Sequence, residues 1–188
     1  IREQEDRPTV YLLGDSTLKS YLFEEAPMSG WGQVFDRLFD TSKINIINYS
    51  MGGRSLKTMY QEGRLNDVLM IGHKGDFVLV QSGHNDEKNG KDNGVVSDPT
   101  ARFGTGSTEE MYRNYLENSY ISAIKARGMI PVLVTPMTRV KGDAEEGYVY
   151  ADTFTTEDRQ FTKVMRETAK DNNVPLVDLN ADSVKYLN

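Results

Sequence analysis

Thr9-Val10-Tyr11-Leu12-Leu13-Gly14-Asp15-Ser16-Thr17 is the stretch on which the fold of this chain turns. A short run rich in apolar and β-branched residues stops at a glycine, and an Asp-Ser pair follows, so a buried strand ends in a tight turn carrying a hydroxyl. Four more runs have the same length and character: residues 44–48, 76–81, 131–135 and 175–179. Between them lie helical patterns. Trp31, Val34, Phe35, Leu38 and Phe39 repeat at i, i+3, i+4, i+7, i+8; Met111, Tyr115, Tyr120 and Ile124 form a second stripe; Phe161, Val164, Met165 and Thr168 form a third. Thr156, Glu157 and Asp158 read as the cap and acidic first turn of that third helix, and residues 55–70 read as helical too. Residues 180–187 read as the start of a last helix.

Strand and helix alternating five times describe an open α/β sheet with helices on both faces. Ligands in such sheets bind beyond the carboxyl ends of the strands, which is where chemistry is to be sought. Two long irregular stretches, 86–107 and 136–155, leave that same end, and long loops in a compact domain are usually functional.

The chain has 188 residues, which predicts one domain. Its 22 basic and 28 acidic residues give a net charge of −6, which argues against a nucleic-acid partner. No apolar run approaches the roughly 18 residues of a membrane span, so no membrane partner is expected. There is no cysteine, hence no disulfide, thiolate metal site or Cys nucleophile, and only two histidines, His73 and His84. The start, Ile1 to Pro8, is charged rather than signal-like, and a first residue other than Met reads as a processed or trimmed chain, which leaves a removed signal peptide open.

Three strand ends make a chemical argument. Ser16 follows the first, Gly52-Gly53-Arg54-Ser55 the second, and Gly83-His84-Asn85-Asp86 the third. A Ser between a strand and its turn projects a hydroxyl above the sheet edge, with its own N–H facing the same space. A Gly brings a second backbone N–H close because it lacks Cβ and tolerates positive φ. An Asn adds a side-chain donor, and one nucleophile with converging donors describes an oxyanion hole for acyl transfer. Each motif alone also reads as a plain turn or helix cap; their order at successive strand ends is what carries the argument.

With these residues the chain resembles the GDSL or SGNH hydrolases, and within them the rhamnogalacturonan acetylesterase type. The supporting elements are Gly14-Asp15-Ser16-Thr17, Gly53-Arg54-Ser55, Glu62-Gly63-Arg64, Gly83-His84-Asn85-Asp86, Gly30-Trp31-Gly32 and Thr135-Pro136. The resemblance implies a flavodoxin-like three-layer α/β/α sandwich with a five-stranded parallel sheet in the order 2-1-3-4-5. It implies Ser16 as nucleophile, Gly53 and Asn85 as oxyanion donors, and Asp15, Arg54, His84 and Thr135 around an acetylated polysaccharide or oligosaccharide. It implies no metal or organic cofactor, and a secreted enzyme, with the cytoplasm as the alternative.

One block of the pattern is missing. The family's Asp-x-x-His, which supplies the general base and the acid that orients it, has no counterpart here. His73 precedes the third strand, on the order of 20 Å from Ser16 along a strand of this length. His84 is at the right end but belongs to the third block. Asp178 is followed three residues on by Ala181 and reads as a helix cap. The expectation is a single SGNH domain over residues 1–188, incomplete at its C-terminus and belonging to a longer parent chain that includes the base and its Asp.

Other residues admit two readings. Arg54 and Arg64 either meet an acidic sugar or pair with acids of the fold. Trp31 is either a sugar platform or core, and Tyr148, Tyr150 and Phe154 are candidates for a cleft wall. The alternatives to an acetylesterase are a GDSL lipase or lysophospholipase, and a catalytically silent carbohydrate-binding domain. A nucleotide-binding flavodoxin-like protein is disfavoured, because no Gly-rich phosphate loop follows the first strand.

Overall fold

The computed structural model describes residues 6–88, 106–143, 145, 147–152, 154–155 and 159–188. β1 (Thr9–Leu13) is buried at all five positions, because it is an interior strand covered on both faces. Tyr11 and Leu13 point into the larger core, and Val10 and Leu12 into the smaller one on the opposite face. The same alternation sends Val78 and Val80 of β3 (Phe77–Gln81) to the first core and Phe77 and Leu79 to the second.

β2 (Asn45–Asn48), β4 (Ile130–Val134) and a short final strand complete a five-stranded sheet in which every pairing is parallel. A hairpin of β5 (Arg139–Asp143) and β6 (Gly147–Ala151) intervenes, so the final strand is β7 (Leu176–Val177) and the order is β2-β1-β3-β4-β7. Counting the parallel strands alone, that is the expected 2-1-3-4-5 arrangement. Register pairs Leu13 with Val80 and Gln81 with Val134, so β1, β3 and β4 leave the sheet at nearly the same level.

The larger core is closed by α1 (Leu56–Gln61), α2 (Arg64–Ile71), α5 (Phe161–Asp171) and one long helix. That helix runs from α3 (Glu109–Asn114) through a π-helical stretch, Tyr115–Ile121, into α4 (Ser122–Ala126). α6 (Leu179–Leu187) follows β7 directly.

Three local expectations need correction, and a fourth lies outside the described residues. The Trp31–Phe39 stripe is not an α-helix but two 3-10 turns, Trp31–Gln33 and Phe35–Leu38, separated by Val34 at φ −117° and ψ 3°. Trp31 and Phe35 still pack on the smaller core, while Leu38 is exposed. Residues 55–70 form two helices, because Gly63 at φ +79° turns the chain between α1 and α2. The 136–155 stretch contains the β5–β6 hairpin, whose first strand is exposed and charged and so shows no buried pattern. α5 begins after Gln160, which makes no side-chain cap bond; Thr156, Glu157 and Asp158 lie outside the described residues, as does most of the 86–107 stretch.

The segment Gly30-Trp31-Gly32 lies backbone to backbone against the turn after β1. Trp31 N–H donates to the Thr17 carbonyl at 2.8 Å. A Cβ on Gly32 would stand 2.4 Å from the Leu18 carbonyl oxygen and 2.7 Å from Asn48 Nδ2, which is itself bonded to that oxygen. Gly32→Ala is therefore expected to lower the unfolding free energy by about 1–3 kcal/mol in urea titrations, as overpacked sites do.

Candidate active site

All five parallel strands deliver their carboxyl ends to one edge of the sheet, and there the sequence motifs meet. After β1 the chain makes a tight turn: Asp15 Oδ1 accepts from both Thr17 N–H and Thr17 Oγ1 at 2.8 Å, and the Asp15 carbonyl accepts from Leu18 and Lys19 N–H. This turn leaves Ser16 half-buried, with its carbonyl held by the Tyr21 hydroxyl at 2.9 Å. A polar relay braces it from behind, Trp31 Nε1 donating to Gln81 Oε1 at 2.9 Å and Gln81 Nε2 donating to Thr17 Oγ1. Among the described residues no side chain hydrogen-bonds the Ser16 hydroxyl, so it is not already held by a base.

The loop after β2 runs alongside this turn, Met51 N–H donating to the Gly14 carbonyl at 3.0 Å. A Cβ on Gly52 would come within 3.8 Å of Ser16 Cβ. Gly53 follows at φ +74°, a left-handed conformation that a residue with Cβ enters only at a cost. The loop after β3 reaches the same place: Asn85 Nδ2 donates to the Arg54 carbonyl at 3.0 Å, leaving its second N–H to face another acceptor. Ser16, Gly53 and Asn85 thus stand on three neighbouring strand ends that contact one another.

Asp15, Arg54, His84 and Thr135, expected around the substrate, are buried, at 0 %, 2 %, 4 % and 0 % exposure, and each bonds within the fold. Arg54 Nε pairs with Glu62 Oε2 at 3.0 Å and Nη1 donates to the Gly52 carbonyl at 2.8 Å, so its guanidinium braces the glycine loop. Arg64 joins the same Glu62 oxygen at 2.9 Å. Thr135 donates to Asp178 Oδ1 and accepts from Asn180 N–H, both at 2.9 Å, locking β4 to the start of α6. Asp178 also accepts both Arg166 bonds and caps α6, as its sequence context suggested.

His84 lies within 2.8 Å of the Met137 carbonyl through Nε2, stacks on Phe154 at 5.4 Å, and has Nδ1 3.9 Å from Asp15 Oδ2. Burial pushes its pKa below the usual imidazole value, against the opposing pull of the Asp15 carboxylate. A carbonyl can only accept, so Nε2 bears the proton and is not a base toward anything else. His73 sits at the far end of β3, exposed beside Asp76. Phe154 is core, whereas Tyr148 is exposed on the hairpin.

The residue that local sequence did not single out is Asp86. It is fully buried, its Oδ2 accepts from Ser82 Oγ at 2.5 Å, and its Oδ1 accepts from Leu56 N–H at 3.1 Å. Burial outweighs these bonds and raises its pKa to about 7. A signal was present in the motif, since Asp86 directly follows Asn85 at the end of the third strand.

A family model described as GDSL-like Lipase/Acylhydrolase matches residues 10–187. The chain belongs to that family. Among curated GDSL relatives it is 32% identical over 177 residues to the probable rhamnogalacturonan acetylesterase YesY of Bacillus subtilis, covering 94% of this chain and 72% of that protein. It is also 32% identical over 172 residues to the rhamnogalacturonan acetylesterase RhgT of the same organism, covering 92% of this chain and 65% of that one. The crystal structure of the Bacillus subtilis protein YxiM has the same fold, with a TM-score of 0.76 at 22% identity, over 96% of this chain and 46% of that one.

Two predictions separate structural from binding roles here. Arg54→Ala should lower stability by about 3 kcal/mol, because it strips a partner from a buried carboxylate, while Arg64→Ala, at the rim, should cost under about 1 kcal/mol. A stability-neutral Arg54→Ala would restore it as a substrate contact. For Asp86, the folded carboxyl stays protonated up to about pH 7, whereas the unfolded one ionises near 3.8. The native state then binds the extra proton across that window, so this group's contribution is full below pH 3.8 and is lost as pH rises to about 7, on the order of 4 kcal/mol. Asp86→Asn should flatten the difference in unfolding free energy between pH 4 and pH 7.

Proposed function

We propose that this chain works as a serine esterase that removes acetyl groups from a plant cell-wall polysaccharide of the pectin or rhamnogalacturonan kind, through an acyl-enzyme on Ser16. The observation that carries the reading is the meeting of Ser16, Gly53 and Asn85 at one sheet edge, with Gly52 against the Ser16 side chain. The acetylesterase names of YesY and RhgT support the substrate class.

In this reading Ser16 Oγ attacks the acetyl carbonyl, and negative charge builds on its oxygen. The Ser16 and Gly53 backbone N–H groups and the free N–H of Asn85 are the donors for that charge, fixed before substrate arrives, which is what makes such donors effective. The alcohol of the sugar leaves, and water releases acetate from Ser16. The Ser16 proton needs an acceptor. Among the described residues neither His73 nor His84 hydrogen-bonds that hydroxyl. A polysaccharide substrate also fits a secreted location.

Acetate release from acetylated rhamnogalacturonan, measured on the protein and on Ser16→Ala, tests the assignment. The variant should lose at least three orders of magnitude, roughly the scale seen when a serine nucleophile is removed. Unchanged release would exclude Ser16. Faster turnover of long-chain acyl esters than of acetyl esters would favour a lipase.

A further inference from the structure

β2 and β3 both pair with β1, on opposite sides, and therefore not with each other. The loops that follow them present Gly53 and Asn85, yet among the described residues no backbone ladder holds those loops together above Ser16. Side chains must do it. Among the described residues, bonds that cross the gap include Asn85 Nδ2 to the Arg54 carbonyl at 3.0 Å and Leu56 N–H to Asp86 Oδ1 at 3.1 Å. The second is the better anchored, because the other Asp86 oxygen is held by Ser82 Oγ, and the Ser82 carbonyl is held in turn by the Tyr112 hydroxyl at 2.8 Å. On the far side, the Leu56 carbonyl accepts from the Tyr120 hydroxyl at 2.7 Å. Leu56 is thereby held at both its N–H and its C=O, at the first residue of α1 and three residues from Gly53.

We propose that Asp86 is a positioning residue for the oxyanion site: its carboxyl ties the end of β3 to the start of α1, and so sets where the Gly53 N–H stands relative to the Asn85 amide. The proposal rests on the reading of those two groups as oxyanion donors. A donor displaced by a fraction of an ångström loses much of its value to the transition state, so a strut that fixes two loops acts on turnover more than on binding.

The tie also responds to protonation. Ionised, Asp86 accepts from both Ser82 and Leu56 with a full charge; protonated, its bond to Leu56 weakens to a neutral one. The charged and titratable groups that face it are Asp15 from the turn after β1, Tyr112 from α3 and Tyr120 from the π-helical stretch. The Asp15 charge opposes ionisation of Asp86, and burial first, then the Asp86 charge, raises both tyrosines. Neither tyrosine ionises below pH 10, and burial pushes the nearby His84 imidazole below its usual value, so a transition near 7 that Asp86→Asn abolishes belongs to Asp86.

The test has two arms. In amide NMR spectra recorded from pH 5 to 9, the Leu56 and Gly53 N–H signals and the Asn85 side-chain amide should move together with one midpoint near 7, and in Asp86→Asn they should stay still. Movement of Leu56 alone would overturn the proposal. In hydrolysis of 4-nitrophenyl acetate, Asp86→Ala should lower kcat about 10- to 100-fold with KM within about twofold. Asp86→Asn, whose amide still accepts from Leu56 and donates to Ser82, should restore kcat to within about threefold. Retained kcat in Asp86→Ala, or no rescue by Asp86→Asn, would overturn it. If Ser16→Ala hydrolyses the ester as fast as the wild type, the esterase reading itself fails, and the NMR arm still decides whether Asp86 holds the two loops together.

Discussion

Parallel pairing of β2 and β3 on either side of β1 is the constraint on which the rest depends. It sends three chain reversals to one edge, places the Ser16 turn between the other two, and denies those two any backbone contact with each other. What the backbone does not join, buried polar side chains must. Every polar residue buried at this edge, from Asp15 to Asp86, bonds to a neighbouring loop or to its own turn. The apolar alternation of β1 and β3 supplies the platform on both faces, and the polar layer above it supplies the precision.

That layer is expensive to bury. An unpaired charge in the interior costs several kcal/mol, so it persists only where partners or protonation relieve it. Arg54 and Glu62 relieve each other, with Arg64 at the rim adding a second cation. Asp86 is relieved by holding its proton toward neutrality. Among the described residues Asp15 Oδ2 is buried without a hydrogen-bond partner, and it faces His84 Nδ1 at 3.9 Å. His84 Nε2 is committed to the Met137 carbonyl, and its Nδ1 faces Asp15 rather than any bond to Ser16.

Much of this was legible in the sequence, and the exceptions have physical causes. Strands buried on both faces announce themselves as apolar runs, and β1 has the bounds that its sequence suggests. β7 shrank to two residues because only Leu133 and Val134 of β4 lie beside it. The β5–β6 hairpin was hidden because exposed antiparallel pairing needs no apolar signature, and Gly63 was hidden within a helical pattern because periodicity does not register one residue at positive φ. Ser16, Gly53 and Asn85 could be placed at one sheet edge from the sequence because each follows a strand. The burial of Asp15, Arg54 and Thr135 could not be read that way, since a polar residue carries no local mark of whether its partner is solvent or a loop distant in sequence.

The central claim is that Ser16, Gly53 and Asn85 form one anion-receiving centre. A small alkylboronic acid, which adds to a serine hydroxyl to give a tetrahedral anion, tests it most directly when titrated into labelled protein and followed by NMR. The account predicts that the Ser16 and Gly53 backbone signals and the Asn85 side-chain amide shift together and saturate at one concentration, with the effect lost in Ser16→Ala. Shifts at Ser16 with Gly53 and Asn85 unmoved, or equal shifts in Ser16→Ala, would contradict it.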